Sequence, residues 1–162
     1  MKAITLHPIG VIHTPHKEQK GTPVQPCAAQ GIEGKIEIFK EYRQALADLQ
    51  GFDRIWLLFW CHKAKSYHLK VIPYRDVVER GLFSTRAPSR PNSIGLSCVR
   101  LLKVDEAAGM LQVADVDMLD GTPLLDVKPY VPRMDSHPNA KAGWLDRADR
   151  DWGEADGRFS SE

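Results

Sequence analysis

The feature that most narrows the fold is the apolar run at residues 55–61, IWLLFWC, which ends against His62. Seven residues cannot cross a bilayer as a helix. A run this short, β-branched and aromatic, reads as a central strand, apolar on both faces and buried. Other segments repeat the strand signature. Residues 4–6 and 9–13 are short and β-branched, and residues 34–39, GKIEIF, place Ile36 and Ile38 on one face. Residues 94–104 and 110–116 flank Asp105, Glu106, Ala107, Ala108 and Gly109 and predict a hairpin. Helical spacing appears at residues 41–49, with Leu46 and Leu49 three apart and Gly51 beyond as a C-cap. Residues 71–78 fit no single period. No Rossmann glycine fingerprint follows a strand and no P-loop is present. The expectation is one mainly antiparallel barrel or curled sheet with one or two short helices.

Two runs depart from packing logic. Residues 81–96, GLFSTRAPSRPNSIGL, set Arg86 and Arg90 four apart, and Pro88 and Pro91 forbid a regular helix between them. The run reads as a stiff loop that fixes guanidinium groups suited to carboxylate or phosphate, or as a proline-rich surface turn with solvated arginines. Residues 120–132, DGTPLLDVKPYVP, open on a turn at Asp120 and Gly121 and continue into a short strand at 124–127. They read as a loop whose amides and Asp120 bind a polar ligand, or as a turn leading into an edge strand.

The remaining composition removes several classes. The 162 residues fit one domain and carry a net charge of +1, which argues against a strongly basic nucleic-acid coat. The distribution is uneven. Residues 62–103 hold nine Lys or Arg against Asp76 and Glu79, while residues 105–162 hold thirteen acids against six basic residues. The basic middle forms either a phosphate-binding face or a solvated surface. Three cysteines do not suggest a disulfide framework, and Cys61 and Cys98 are expected buried in strands. The N-terminus lacks the apolar core of a signal peptide, so a cytoplasmic location and no membrane partner are expected. His13 and His16 have H-x-x-H spacing, but no second ligand pair has fitting spacing, and no metal site is expected. Cys27 and Cys98 lack a base partner for nucleophilic work. Trp56 and Trp60 read as core or interface.

The two special runs, with the opening IGVIHTP at residues 9–15, the PVQP element at 23–26 and the strand ending in His62, closely resemble the TrmO/TsaA-like (YaeB-like) family of tRNA N6-threonylcarbamoyladenosine methyltransferases. The resemblance runs from about residue 4 to Asp146. Ser93 stands where proline is common, and Val24 where some members have arginine. The resemblance implies a single-sheet β-barrel, a non-Rossmann methyltransferase fold, over residues 1–146. Residues 147–162 read from their composition as an acidic tail, partly disordered, from which Trp152 could dock on the body or on a partner, as could Trp144 just before it. The resemblance also implies a homodimer with S-adenosylmethionine near the interface. Carried over by motif, cofactor contacts fall on Gln25, Pro26, Cys27, His62, Lys63, Arg86, Asp120, Gly121, Thr122 and Pro123. Arg90, Asn92 and Lys128 order the loop or touch substrate. No catalytic residue is fixed. His62, Asp120, Asp126 and Tyr130 are the candidates for the base that removes the proton from the acceptor nitrogen. His62 reads equally as a strand end bonded to backbone, and Asp126, Lys128 and Tyr130 as a cross-strand pair with a packed ring.

The activity implied is methylation of threonylcarbamoyladenosine beside the tRNA anticodon. A same-fold methyltransferase for a small molecule and a non-catalytic S-adenosylmethionine-binding module are the alternatives. Some family members carry a further C-terminal domain; where that domain helps hold tRNA, a short form is expected to use a different tRNA, a helper protein or another substrate.

Overall fold

The computed structural model describes residues 3–74, 76–148 and 153–156. Its main body is a closed antiparallel barrel of six strands. These are β1 (Gly10–His13), β2 (Glu33–Ile38), β3 (Arg54–Trp60), β6 (Ile94–Asp105), β7 (Met110–Ala114) and β8 (Thr122–Pro129), in the order β1-β2-β7-β6-β3-β8 and back to β1. A two-stranded ribbon, β4 (Lys70–Val71) with β5 (Arg80–Gly81), stands apart from it.

Period-two alternation explains the core. Ile36 and Ile38 of β2 point inward as expected, and Ile12, Ile55, Leu57, Val99, Leu111, Val113 and Leu124 meet them from the other strands. Gly10 lets β1 and β2 close. A Cβ there would lie 2.2 Å from the Glu37 carbonyl oxygen. The predicted hairpin forms, with Asp105 opposite Met110 and Gly109 at φ 71°. The Asp105 side chain accepts a hydrogen bond from the Ala108 amide.

Five expectations need correction. Residues 4–6 form no strand, and Ile4 and Leu6 are exposed. The helix at 41–49 is a 3-10 helix, Lys40–Leu46, although Leu46 and Leu49 do join the core and plug one barrel end. β3 is buried on one face only. Its inner residues Ile55, Leu57 and Phe59 are covered, whereas Trp56 and Leu58 are half-buried and Trp60 is exposed. A barrel has one interior, so an outward apolar face needs some other cover. Finally, β8 is not an edge strand, because it pairs with β1 on one side and β3 on the other. Barrel closure removes edges. The three cysteines are free, with Cys61 and Cys98 half-buried rather than buried.

Strand registers define two barrel ends. His13 of β1 lies opposite Lys35 of β2, Glu33 opposite Ala114 of β7, and Trp60 of β3 opposite Ile94 of β6. β8 starts here too, with Thr122 opposite Ile12. The connections carrying residues 14–32, 61–93 and 115–121 therefore all leave from one end. Leu46 and Leu49 close the other. Among the described residues, no helix is long and apolar enough to cross a membrane.

Candidate functional site

At the loop-bearing end the turn before β8 is held by its own side chains. Asp120 Oδ1 accepts from the Thr14 amide at 3.0 Å, and Lys17 Nζ donates to Asp120 Oδ2 at 2.6 Å. His13 Nδ1 stands 3.8 Å from the same carboxylate. The Lys17 hydrogen bond first, then the Thr14 amide, pull the Asp120 carboxyl below its ordinary range. Lys63 Nζ reaches the Lys17 carbonyl at 3.2 Å, which brings the segment after β3 to the same place. Gly121 adopts φ 73°, and no heavy atom stands within 4 Å of where a Cβ would be, so a ligand can come close to its Cα, although its amide is spent on the Ile12 carbonyl at 2.9 Å. The buried Thr122 hydroxyl is spent on the Leu119 carbonyl at 2.7 Å. Pro123 lies in the ladder opposite Val11.

A second group lies at the same barrel end. Arg86 Nη1 donates to Gln25 Oε1 at 2.6 Å, joining the arginine loop to the 3-10 helix Pro26–Ala28. Cys27 on that helix is exposed. Arg90 has a different task. Its guanidinium donates to the Thr85 carbonyl at 3.0 Å, reaches those of Ala87 and Leu82, and lies over the Phe83 ring. It cross-braces the stiff loop and leaves Arg86 to project from it. Asn92 sits at the loop exit, where its carbonyl accepts from the Ile94 amide. The His62 imidazole packs edge-on to Trp60 at 6.4 Å. Burial first, then the Lys63 charge, hold its pKa below the ordinary value, so it stays neutral at pH 7.

The remaining predicted residues lie elsewhere. Asp126, opposite Leu58, and Lys128, opposite Trp56, are on the outward face of β8, where they pair with each other at 2.9 Å. Tyr130 packs edge-on to Trp56 at 5.8 Å. These three follow the barrel wall away from the loop end. The predicted basic stretch is also partly spent. Arg80 pairs with Asp76 at 2.7 Å, Lys70 with Glu79 at 3.7 Å and Arg100 with Asp115 at 3.0 Å. Arg75 and Trp152 lie outside the described residues.

The structure adds residues that sequence reasoning passed over. Lys17 neutralises Asp120. Asp117, three residues before the DGTP turn, accepts a 2.7 Å hydrogen bond from the buried Ser97 hydroxyl. Trp144 Nε1 donates to the Ser84 carbonyl at 2.8 Å and its ring lies under Arg80, so the C-terminal segment rests on the arginine loop. Further along, Gly21 and Val24 donate to the carbonyls of Ala155 and Gly153, and the Ala155 amide donates to Thr22. The chain thus touches both segments that carry Gln25 and Arg86. A lone acid in VDMLDG gives no signal of such a contact in one sequence, whereas docking of Trp144 is expected and only its partner, the arginine loop, is not.

The donor set fits a zwitterionic nucleoside ligand. An exposed arginine on a braced loop can take a carboxylate, and Gln25 offers an amide beside it. Gly121 exposes backbone for close approach, and no described residue crowds it.

Comparison with known proteins agrees. A match to the tRNA-methyltransferase O N-terminal domain family covers residues 11–136. A probable S-adenosyl-L-methionine-binding protein from Pyrococcus abyssi is 48% identical over 160 residues, 98% of this chain and 86% of the relative. A tRNA (adenine(37)-N6)-methyltransferase from Escherichia coli is 35% identical over 156 residues, 91% of this chain and 66% of that protein. The crystal structure of TrmO from Pseudomonas aeruginosa superposes with a TM-score of 0.73 at 37% identity, over 88% of this chain and 62% of that one. The chain therefore spans most of the archaeal relative but less than two thirds of the two bacterial proteins. With its closed six-stranded barrel and its matching loops, the chain belongs to the tRNA-methyltransferase O N-terminal domain family.

Proposed function

We propose that this protein is an S-adenosylmethionine-dependent methyltransferase that acts, as a cytoplasmic homodimer, on the threonylcarbamoyladenosine next to the tRNA anticodon. The observation that carries the reading is the convergence at one barrel end of the Gln25–Arg86 pair with the Asp120–Lys17–Lys63 cluster. In this reading Arg86 and Gln25 take the amino-acid end of the methyl donor, and the open backbone at Gly121 lies against its nucleoside. Lys63 and His62 flank it, and Thr122 and Pro123 fix the turn. Arg90 and Asn92 shape the loop. The sulfonium supplies an activated methyl group. The chain's own work is to align the acceptor nitrogen and to receive its proton.

The dimer reading rests on the outward face of β3 and β6. Trp60 pairs with Ile94 and Leu58 with Leu96 across that face, and Trp60, Ile94 and Leu96 are 48%, 42% and 49% exposed. His62 packs on Trp60, so the same face adjoins the site.

The test is incubation with methyl-labelled S-adenosylmethionine and tRNA from cells lacking their own family enzyme. Label in threonylcarbamoyladenosine is expected, and Arg86→Ala should weaken cofactor binding by about ten-fold or more. Cofactor binding without label on tRNA would move the reading to another acceptor or to a non-catalytic binding module. Absence of binding would overturn it.

A further inference from the structure

Asp117 lies in the connection between β7 and β8, at the loop-bearing end of the barrel. It is crowded by protein yet keeps partial contact with solvent. The Ser97 hydroxyl of β6 donates to its Oδ1 at 2.7 Å. Apart from its own backbone amide, no other described residue donates to this carboxyl. An ionised carboxylate has about four acceptor positions. The groups that act on it are Ser97 from β6, Cys61 from the segment after β3, and Arg86 from the arginine loop, whose Arg90 acts on Cys61 instead. On its own segment His16 binds the neighbouring Val116 carbonyl at 3.0 Å, and Thr14 binds the Met118 carbonyl at 2.9 Å. Neither arginine is bonded to Asp117. Arg86 is committed to Gln25 and Arg90 to loop carbonyls. Asp117 thus keeps acceptor positions that no described side chain but Ser97 fills, at the barrel end that carries the Arg86 and Asp120 loops.

Of the other base candidates, His62 packs on Trp60 of the outward β3 face, and the remaining three are less suited by charge or by place. Asp120 is paired with Lys17 and held at low pKa, which makes it a weak proton acceptor. Asp126 and Tyr130 are on the outer wall, and Asp126 is paired with Lys128.

We propose that Asp117, held by Ser97, is the general base that takes the proton from the acceptor nitrogen. This rests on the methyltransferase reading above. In the step, the methyl–sulfur bond breaks and a methyl–nitrogen bond forms. Sulfur keeps the electron pair of the broken bond and becomes a neutral thioether. Nitrogen keeps the electrons of its N–H bond, and the proton passes to Asp117, which becomes a neutral carboxylic acid. Burial, opposed by the Ser97 hydrogen bond and by the Arg86 charge, raises this carboxyl to about 7, near the pH at which a base is most effective.

Two measurements test it. The first needs no turnover. Carboxyl carbon NMR of the aspartate-labelled protein, compared with Asp117→Asn to assign the signal, should show one carboxyl titrating near neutrality, and Ser97→Ala should move it upward. Titration of Asp117 in the ordinary carboxylate range overturns the proposal. The second is a pH–rate profile on the labelled tRNA assay. The wild type should rise with pH through about 7 and level off. Asp117→Asn should lose about a hundred-fold or more in kcat, with cofactor affinity by calorimetry within about two-fold, and should lose the acidic limb. Ser97→Ala should shift that limb to higher pH. Retained kcat, or an equal loss of cofactor affinity, overturns the role as base. If the wild type binds cofactor but methylates no acceptor, the methyltransferase reading fails instead, and the titration still reports on Asp117 itself.

Discussion

Two aspartates two positions apart show how one residue type is used in opposite ways. Asp115 is buried at φ 69° and accepts the Gly31 amide at 2.9 Å, while Arg100 and Arg54 approach its other oxygen at 3.0 and 3.5 Å. Burial alone would raise its pKa, but the Gly31 and Arg100 hydrogen bonds and the two guanidinium charges outweigh burial and lower it. A lowered pKa contributes stability above the unfolded value, and that contribution disappears as pH falls through the folded one. Asp115→Ala should therefore cost about 2–3 kcal/mol at pH 7, discounted for the solvent-facing arginines, and the loss should shrink in acid. Urea titration at pH 7 and pH 3 checks this, and Asn at the same site should cost less because it tolerates left-handed backbone. Asp117 has the opposite sign. Its pKa is raised, so the folded state loses stability as pH climbs from the unfolded value toward about 7. The rise from 3.8 to about 7 corresponds to at most about 4 kcal/mol withheld once the group is ionised. Asp117→Asn should be more stable than the wild type at pH 8 and no more stable at pH 4. A residue that costs stability when charged is better placed for chemistry than for folding.

Among the elements, β1 depends on a single glycine. The added Cβ of Gly10→Ala would fall 2.2 Å from the Glu37 carbonyl oxygen, a backbone atom that cannot rotate away. β1 joins β2 to β8, so displacing it opens the barrel beside the Asp120 turn. A loss of about 3 kcal/mol is expected, read as a lowered urea midpoint, with weaker cofactor binding in the surviving folded fraction. The element scale also shows what a sequence can carry. Inward periodicity at Ile36, Ile38, Ile55 and Leu57 depends only on alternation along one strand, and it was readable. Pairing was not. The DGTPLLDV run looks like an edge strand because closure of β8 on β1 is a relation between segments more than a hundred residues apart. Residues 4–6 have strand-like side chains but no described partner strand, and β-branched composition does not supply one. The Arg86 and Asp120 loops were conspicuous because Pro, Gly and Arg at fixed spacing are costly to keep for packing alone. Asp117 was not conspicuous, since its meaning comes from Ser97 twenty residues away.

For the whole molecule, the apolar run at 55–61 poses a question that the single chain leaves open. Its inner half fills the barrel. Its outer half, with Ile94 and Leu96, faces solvent beside His62. Covering such a face with its own copy would satisfy the packing, and a two-fold axis near Trp60 would bring a second chain to the edge of the loops proposed above to hold cofactor. The face has an apolar centre, and the Asp126–Lys128 pair lies on the adjoining strand as a polar rim. Trp60→Glu and Leu96→Glu should therefore yield monomers by sedimentation velocity. Both side chains are exposed in the single chain, so thermal stability measured at low protein concentration should change little. If the dimer completes the site, cofactor affinity should fall with dissociation and should depend on protein concentration in the wild type. A wild type that sediments as a monomer would remove the self-association argument, and dimeric charge variants would place the interface on another face.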